Sequence, residues 1–310
     1  MIIPKLDLHA HVAFERAYPY IQNGTEWGLT CPDLRAMYDR IGVEKGVALP
    51  SISPEFGCDQ NTNDDARLCA ATYPDTIGWW FCNIDPRWMT NGPDADLSRP
   101  MEYYKSLGAR GIGELTANLP IDDPRMQNLF CHAEQCDLPI LFHMGRSGGG
   151  DYGIVDELNL PKLEAALQKF PKLKFIGHSQ KWWSEISGDI TEARRGARPI
   201  SRVVPGGRAV ELLRDYPNMY GDLSAGSGQN AIRRDPEFGF RFLEEFQDKL
   251  FFGIDYCTPS NYFVLSHFLD QAVESGYISQ AAYNKICREN LLQLLEGDPH
   301  FPTTTSEVSA

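Results

Sequence analysis

The 310-residue sequence predicts an α/β protein, a single-domain (β/α)₈ (TIM) barrel. Three observations carry that prediction. Eight short apolar runs alternate with helix-patterned segments along nearly the whole chain, and no second regime of composition appears. The runs are near-continuously apolar, as strands of a parallel sheet covered by helices are. The first run ends in histidines, where a doubly wound open sheet would need a phosphate-cradling Gly-x-Gly-x-x-Gly loop.

Residues 4–11 read as the first strand. The long connection 12–30 carries Phe14, Tyr18, Tyr20 and Trp27, which either wall a pocket or pack the loop down. A helix over 32–41 starts on Pro32. Residues 45–51 form the second strand, 64–73 a helix and 77–84 (IGWWFCNI) the third strand. Ser98 is placed as the cap of a helix reaching 107, with Pro100 in its first turn. The fourth strand is 109–115, followed by a helix over 124–136 and the fifth strand, 138–144. Residues 145–150 are a glycine-rich loop, 161–170 a helix and 173–178 the sixth strand. A polar segment, 179–206, contains Trp182, Trp183 and the basic cluster Arg194, Arg195 and Arg198, which reads as solvated or, in a chain of net charge −13, as a subunit contact. A helix over 207–216, a strand over 218–223, a helix over 236–247 and the eighth strand, 249–255, complete the barrel. Amphipathic helices over 261–274 and 279–295 close it, and they serve either to cover the barrel or to support a homodimer. The barrel is thus assigned to 1–296, and 297–310, polar and without periodicity, to a mobile tail.

The formal net charge of −13 argues against nucleic acid as a partner. No apolar run approaches the ~20 residues that span a bilayer, and no basic-then-apolar leader precedes the first strand. Eight scattered cysteines with no Cys-x-x-Cys pair read as reduced thiols. A cytoplasmic protein acting on a small molecule, with no membrane partner, is the expectation.

The chemistry begins at Asp7-Leu8-His9-Ala10-His11. Alternate side chains of a strand share a face, so His9 and His11 project together, about 7 Å apart in backbone rise. Active sites of such barrels lie at the C-terminal strand ends. There the sequence places Glu114 (fourth strand), His143 (fifth), His178 (sixth) and Asp255 (eighth). Taken singly, each has an ordinary explanation: a core histidine, an ion pair, a helix cap. Together they are four imidazoles and two carboxylates around one rim. That donor set suits Zn²⁺, with Mn²⁺, Fe²⁺ or Co²⁺ as other occupants. His132, His267 and His300 fall off the strand ends and read as surface or packing residues.

These residues make the chain resemble the amidohydrolase superfamily of metal-dependent hydrolases. Within it the likeness is to the amidohydrolase-2 type, the branch that also holds the aminocarboxymuconate-semialdehyde and resorcylate decarboxylases. It rests on Asp7-x-His9-x-His11, on His143 and His178 ending strands, on Asp255 in an FGID strand, and on the closing segment Lys285-Ile286-Cys287-Arg288-Glu289-Asn290-Leu291-Leu292, and it runs over about residues 3–295. The resemblance implies His9, His11, His143 and His178 as metal ligands. It implies Asp255 as the aspartate that contacts the metal and moves protons. Glu114 departs from the single-metal decarboxylases, many of which lack a carboxylate there, and matches the bridging carboxylate of two-metal hydrolases. His-x-His likewise stands where those decarboxylases often have Glu-x-His.

The expected activity is hydrolysis of an amide, lactone or other ester of a small molecule by metal-activated water. Asp255 would orient the water and pass its proton to the leaving group. His178 would bind a second metal or steady the oxyanion. Glu114 would bridge two metals, or stand behind the ligands if one is bound. Asp7 is expected to support a ligand histidine or the barrel floor. Non-oxidative decarboxylation of a carboxylated aromatic or muconate-like acid is the alternative, and a non-catalytic metal- and ligand-binding barrel the third reading. Toward a small-molecule substrate, an anionic one included, Arg146 is placed on the pocket rim as a carboxylate clamp or a solvated loop residue. Trp182 is placed as an apolar wall beside the cationic Lys181. Gly148-Gly149-Gly150 would cradle an anion or simply be a flexible loop.

Overall fold

Every residue of β1 (Lys5–Ala10) is buried, as a strand requires when core side chains pack it from inside and helices from outside. In the computed structural model, residues 1–15, 20–22, 24–56, 61–146, 151–262 and 264–296 are described. β1 is followed around the barrel by β2 (Val43–Ala48), β3 (Ile77–Trp80), β4 (Ile112–Leu115), β5 (Ile140–His143), β6 (Phe175–His178), β7 (Met219–Asp222) and β8 (Leu250–Phe251). Parallel ladders join β1 to β2, β2 to β3, and β4 in turn to β5, β6, β7 and β8. A parallel bridge between Cys82 and Ile112 joins β3 to β4. The ring closes where Leu8 N donates to Phe252 O at 3.1 Å and Asp255 N to His9 O at 2.9 Å. This is the (β/α)₈ barrel that the alternation of elements predicts.

Inside the barrel, Leu6, Leu8, Val47, Phe81, Leu141 and Ile176 interlock with Leu291 and Leu295 of the closing helix. Asn290 Nδ2 donates to the carbonyls of Gln247 and Leu250, so that helix seals the end where β8 begins. The opposite, C-terminal end stays open. A larger cluster packs the outer helices onto the strands. Helix starts are written locally. Thr30 and Asp33, and Thr62 and Asp65, form capping boxes, and prolines open the helices at Pro124–Gln135, Pro161–Lys169 and Pro236–Glu245.

Four features differ from the sequence expectation. Ser98 is the first residue of its helix (Ser98–Ser106) rather than the cap; the cap is Leu97, and Ser98 Oγ donates to Asp96 instead. The segment after β7 folds as a helix, Ala225–Arg233, despite Gly226 and Gly228. A Cβ at Gly228 would stand 2.2 Å from Leu223 O, so glycine is what lets the helix lie against β7. The last helical stretch is broken by a π turn over Lys285–Glu289. A short hairpin pairs Tyr20–Gln22 with Thr25–Trp27. Among the described residues, seven cysteines are thiols in no disulfide. Ser147, the run Gly148-Gly149-Gly150, Tyr18, Cys58 and the segment 297–310 lie outside the described residues.

Candidate metal centre

His9 and His11 turn their Nε2 atoms to 2.9 Å from each other. The other nitrogen of each ring is engaged: His9 Nδ1 donates to Asp222 Oδ2 at 2.6 Å, and His11 Nδ1 to Leu49 O at 2.9 Å. Both Nε2 lone pairs therefore face one point, and only a proton or a cation between them relieves the repulsion.

Two carboxylates divide themselves over this centre. Glu114 Oε2 lies 3.3 Å from His11 Nε2 and 3.8 Å from His9 Nε2, while its Oε1 lies 2.8 Å from His143 Nδ1 and 3.7 Å from His178 Nε2. Asp255 Oδ1 stands 3.5 Å from His11 Nε2 and 3.6 Å from His9 Nε2, and its Oδ2 3.5 Å from His178 Nε2. Atoms bound ~2.1 Å from a shared ion stand roughly 3.0–3.4 Å apart. The donor set fits a divalent ion held by His9, His11, Glu114 and Asp255. It also leaves a neighbouring position among Glu114, His143 and His178.

The backbone helps aim these groups. Asp255 takes a left-handed conformation (φ 52°), which a non-glycine residue adopts only at some cost. Asp7 Oδ1 accepts from His9 N at 2.8 Å and Ile254 N at 2.9 Å, and Oδ2 accepts from Tyr38 at 2.6 Å. Asp7 thus ties β1 to the residues after β8 and touches no imidazole. Its burial pushes its carboxyl up to about 7.

Burial alone would push Glu114 up, yet the imidazoles of His143, His11 and His9 hold it well below the usual carboxylate range. Asp255 is lowered too, its burial outweighed by His9, His178 and His11. Burial works against protonating His11, but Glu114 and Asp255 outweigh it and raise it to about 9. His178 is raised likewise, by Asp222, Asp255 and Glu114 against its own burial. The centre is a negative well that protons fill when no metal does.

The six residues expected as ligands, His9, His11, Glu114, His143, His178 and Asp255, come together. The two residues expected to contact substrate part company. Trp182 is fully buried, and its indole lies against Gly177, edge-on to Phe142, so it is core and not pocket wall. Arg146 does stand at the mouth, but its side chain is 70% exposed and its Nε pairs with Asp151 at 3.3 Å. Lys181 does line the cavity, a space of about 600 Å³ over the centre, together with Arg195, Arg198, Tyr152 and Ser227. Of the basic cluster, Arg195 is buried and ion-paired with Glu185 at 2.8 Å, while Arg194 and Arg198 are exposed.

Sequence reasoning missed Asp222 and Ser224. Asp222 Oδ2 also lies 3.0 Å from His178 Nδ1 and accepts from Ser224 Oγ at 2.7 Å. Its signal was present, since it ends the seventh strand as the other site residues end theirs. Tyr152 was missed as well; its ring sits 4.3 Å from that of His143. It lies in a loop with no pattern to mark it.

Comparison with known proteins agrees with the fold. A family model described as amidohydrolase matches residues 7–295. An amidohydrolase from Burkholderia multivorans, solved with bound zinc, superposes with a TM-score of 0.63 at 15% identity, covering 94% of this chain and 99% of that one. A probable 2-pyrone-4,6-dicarboxylic acid hydrolase from Acinetobacter baumannii, solved with citric acid, gives 0.56 at 13% identity, covering 94% and 99%. The 2,6-dihydroxybenzoate decarboxylase from Rhizobium gives 0.54 at 16% identity, covering 96% and 100%. No curated protein matches the chain. No helix among the described residues is long and apolar enough to cross a membrane.

Proposed function

We propose, from the premise that the chain belongs to the amidohydrolase family, that it is a cytosolic metal-dependent hydrolase of a small-molecule ester, lactone or amide. The observation that carries this reading is the division of Glu114 and Asp255, each with one oxygen toward the His9–His11 pair and the other toward His178. Carboxylates placed this way suit one divalent ion or a bridged pair, zinc being the first candidate and Mn, Fe or Co the others. When bound, such an ion supplies Lewis acidity and a water acidic enough to ionise near neutral pH. His9 and His11 would hold it through Nε2, their Nδ1 protons being committed to Asp222 and Leu49 O. Asp255 is the proton carrier: it takes a proton from water at the centre and returns it to the leaving group. His178 Nε2, beside both carboxylates, either completes a second position or steadies charge on the substrate oxygen.

Non-oxidative decarboxylation is the second reading. It is favoured by the cationic lining of the cavity, which includes Lys181, Arg195 and Arg198. The test is metal content per chain by elemental analysis, followed by turnover of ester, lactone and amide panels with carbon dioxide release from carboxylated aromatic acids followed in parallel. About two equivalents of transition metal and ester or lactone turnover are expected. Carbon dioxide release without hydrolysis replaces this reading with the second, and no metal after repeated reconstitution removes both.

A further inference from the structure

The cavity wall facing the metal centre carries three cations, and they are not equivalent. Lys181 Nζ pairs with Glu192 at 3.5 Å. Arg195 pairs with Glu185 at 2.8 Å and with Glu192 at 3.2 Å. Arg198 has no carboxylate partner among the described residues, although it too lines the cavity.

Its position is nevertheless built. The guanidinium lies flat over Gly226, where a Cβ would stand 3.0 Å from Cζ and 3.1 Å from Nη2. With its amide oxygen turned toward Arg198, Gln180 accepts from Nη2 at 3.1 Å and donates to Gly196 O at 2.9 Å. Gln180 therefore orients the cation without neutralising it.

Two further donors meet it. The nine-residue helix Ala225–Arg233 begins here; Ala225 N is taken by Ile254 O at 3.3 Å, so the N–H groups that its first turn offers are those of Gly226 and Ser227. Ser227, on that turn, is 5% exposed, lines the same cavity, and has a buried Oγ with no hydrogen-bond partner among the described residues. A buried hydroxyl without a partner is costly unless something arrives to use it.

We infer that Arg198, Ser227 and the start of the helix Ala225–Arg233 form an anion-binding subsite, which takes a carboxylate or phosphate at the non-reacting end of the substrate. The cavity then has two poles: the metal centre takes the reacting group, and Arg198 takes the anion. This rests on the proposed function only for which end reacts; the subsite itself stands on its own donors.

The probes are succinate, inorganic phosphate and uncharged succinamide, titrated calorimetrically into the purified chain. Succinate or phosphate should bind at least tenfold more weakly to Arg198→Ala, as loss of a charge-assisted bidentate partner implies. Arg198→Lys should recover part of that loss. Gly226→Ala, a change that a helix favours, should weaken anion binding by displacing the guanidinium. Succinamide should not distinguish the variants, and metal content should be the same in all of them. The preferred anion identifies the class. Equal anion affinity in wild type and Arg198→Ala, or no anion binding by the wild type, overturns the subsite. In His9→Ala, which removes a metal ligand, dependence on Arg198 should persist. If wild type proves metal-free but keeps that dependence, the hydrolase reading falls and the subsite stands.

Discussion

Asp222 Oδ2 lies 2.6 Å from His9 Nδ1, and both side chains are wholly buried. The same oxygen lies 3.0 Å from His178 Nδ1. One carboxylate on β7 thus sets the ring orientation and tautomer of histidines on β1 and β6, and turns both Nε2 atoms to the centre. Its carboxyl stays ionised so deep in the protein because His9 and His178, acting against its burial, hold it well below the usual range. Trp183 Nε1 anchors the strand behind it, donating to Asp222 O at 2.8 Å.

Asp222→Asn should therefore keep the barrel but weaken metal binding by about 10–100-fold, since an amide that donates toward one ring cannot accept from both. Competition against a chelator measures this. Unchanged affinity would remove Asp222 from the positioning role.

Removing a ligand should act on stoichiometry as well as affinity. His9→Ala and His11→Ala should each lower metal content per chain. Glu114→Gln should do so as well, and from two equivalents toward one if Glu114 bridges. Elemental analysis of the three variants decides it, and full occupancy in both histidine variants would sink the site as drawn.

Asp255→Asn should retain the fold and the metal while losing turnover by about 10³-fold, the scale of a lost general acid–base group. The readout is the rate on whichever ester or lactone the wild type cleaves, alongside circular dichroism and metal content. Full activity would exclude Asp255 from proton transfer.

The six ligand candidates were legible because each obeys two rules at once: it ends an apolar run, and its side chain carries a metal donor. Asp222 obeys both, but the sequence reading runs the seventh strand on to Leu223 and so passes it over. The helix Ala225–Arg233 was hidden for a different reason. Gly226 and Gly228 lower its intrinsic propensity, and what favours glycine there is contact with Arg198 and with the Leu223 backbone, which no local pattern records. Arg195 departs from a solvated reading for the same reason, because its burial and its pairing with Glu185 depend on chain segments that no local pattern records, whereas Arg194 and Arg198 stay exposed. Trp182 was read as a wall from its proximity to His178, but the helical turn Gln180–Ser184 rotates it inward while Lys181 faces the cavity.

That rotation has a measurable consequence. Trp182→Ala should behave as a core deletion, losing about 3–5 kcal/mol of stability, with little effect on KM for any substrate that remains measurable at low temperature. Urea unfolding and steady-state kinetics separate the two effects. A large rise in KM at unchanged stability would return Trp182 to the pocket.

Glu55 and Arg87 offer a pH test away from the metal. Arg87 Nη1 and Nη2 donate to the two Glu55 oxygens at 2.8 and 2.9 Å, and Arg87 also grips Asp85, joining the loops that follow β2 and β3. The guanidinium lowers the Glu55 carboxyl to about 2 from its usual 4.5. A carboxylate lowered in the folded state contributes stability that is present above the unfolded value and is lost as pH falls through the folded one. The pair should therefore help fully above about pH 4.5 and progressively less toward pH 2. Solvent screening keeps its worth to about 1 kcal/mol. Glu55→Gln should be less stable than wild type by that amount in urea at pH 7, with the gap narrowing at pH values below 4.5. A gap that stays constant down to the acid limit of folding would show that Glu55 is not held by Arg87 in the ionised form.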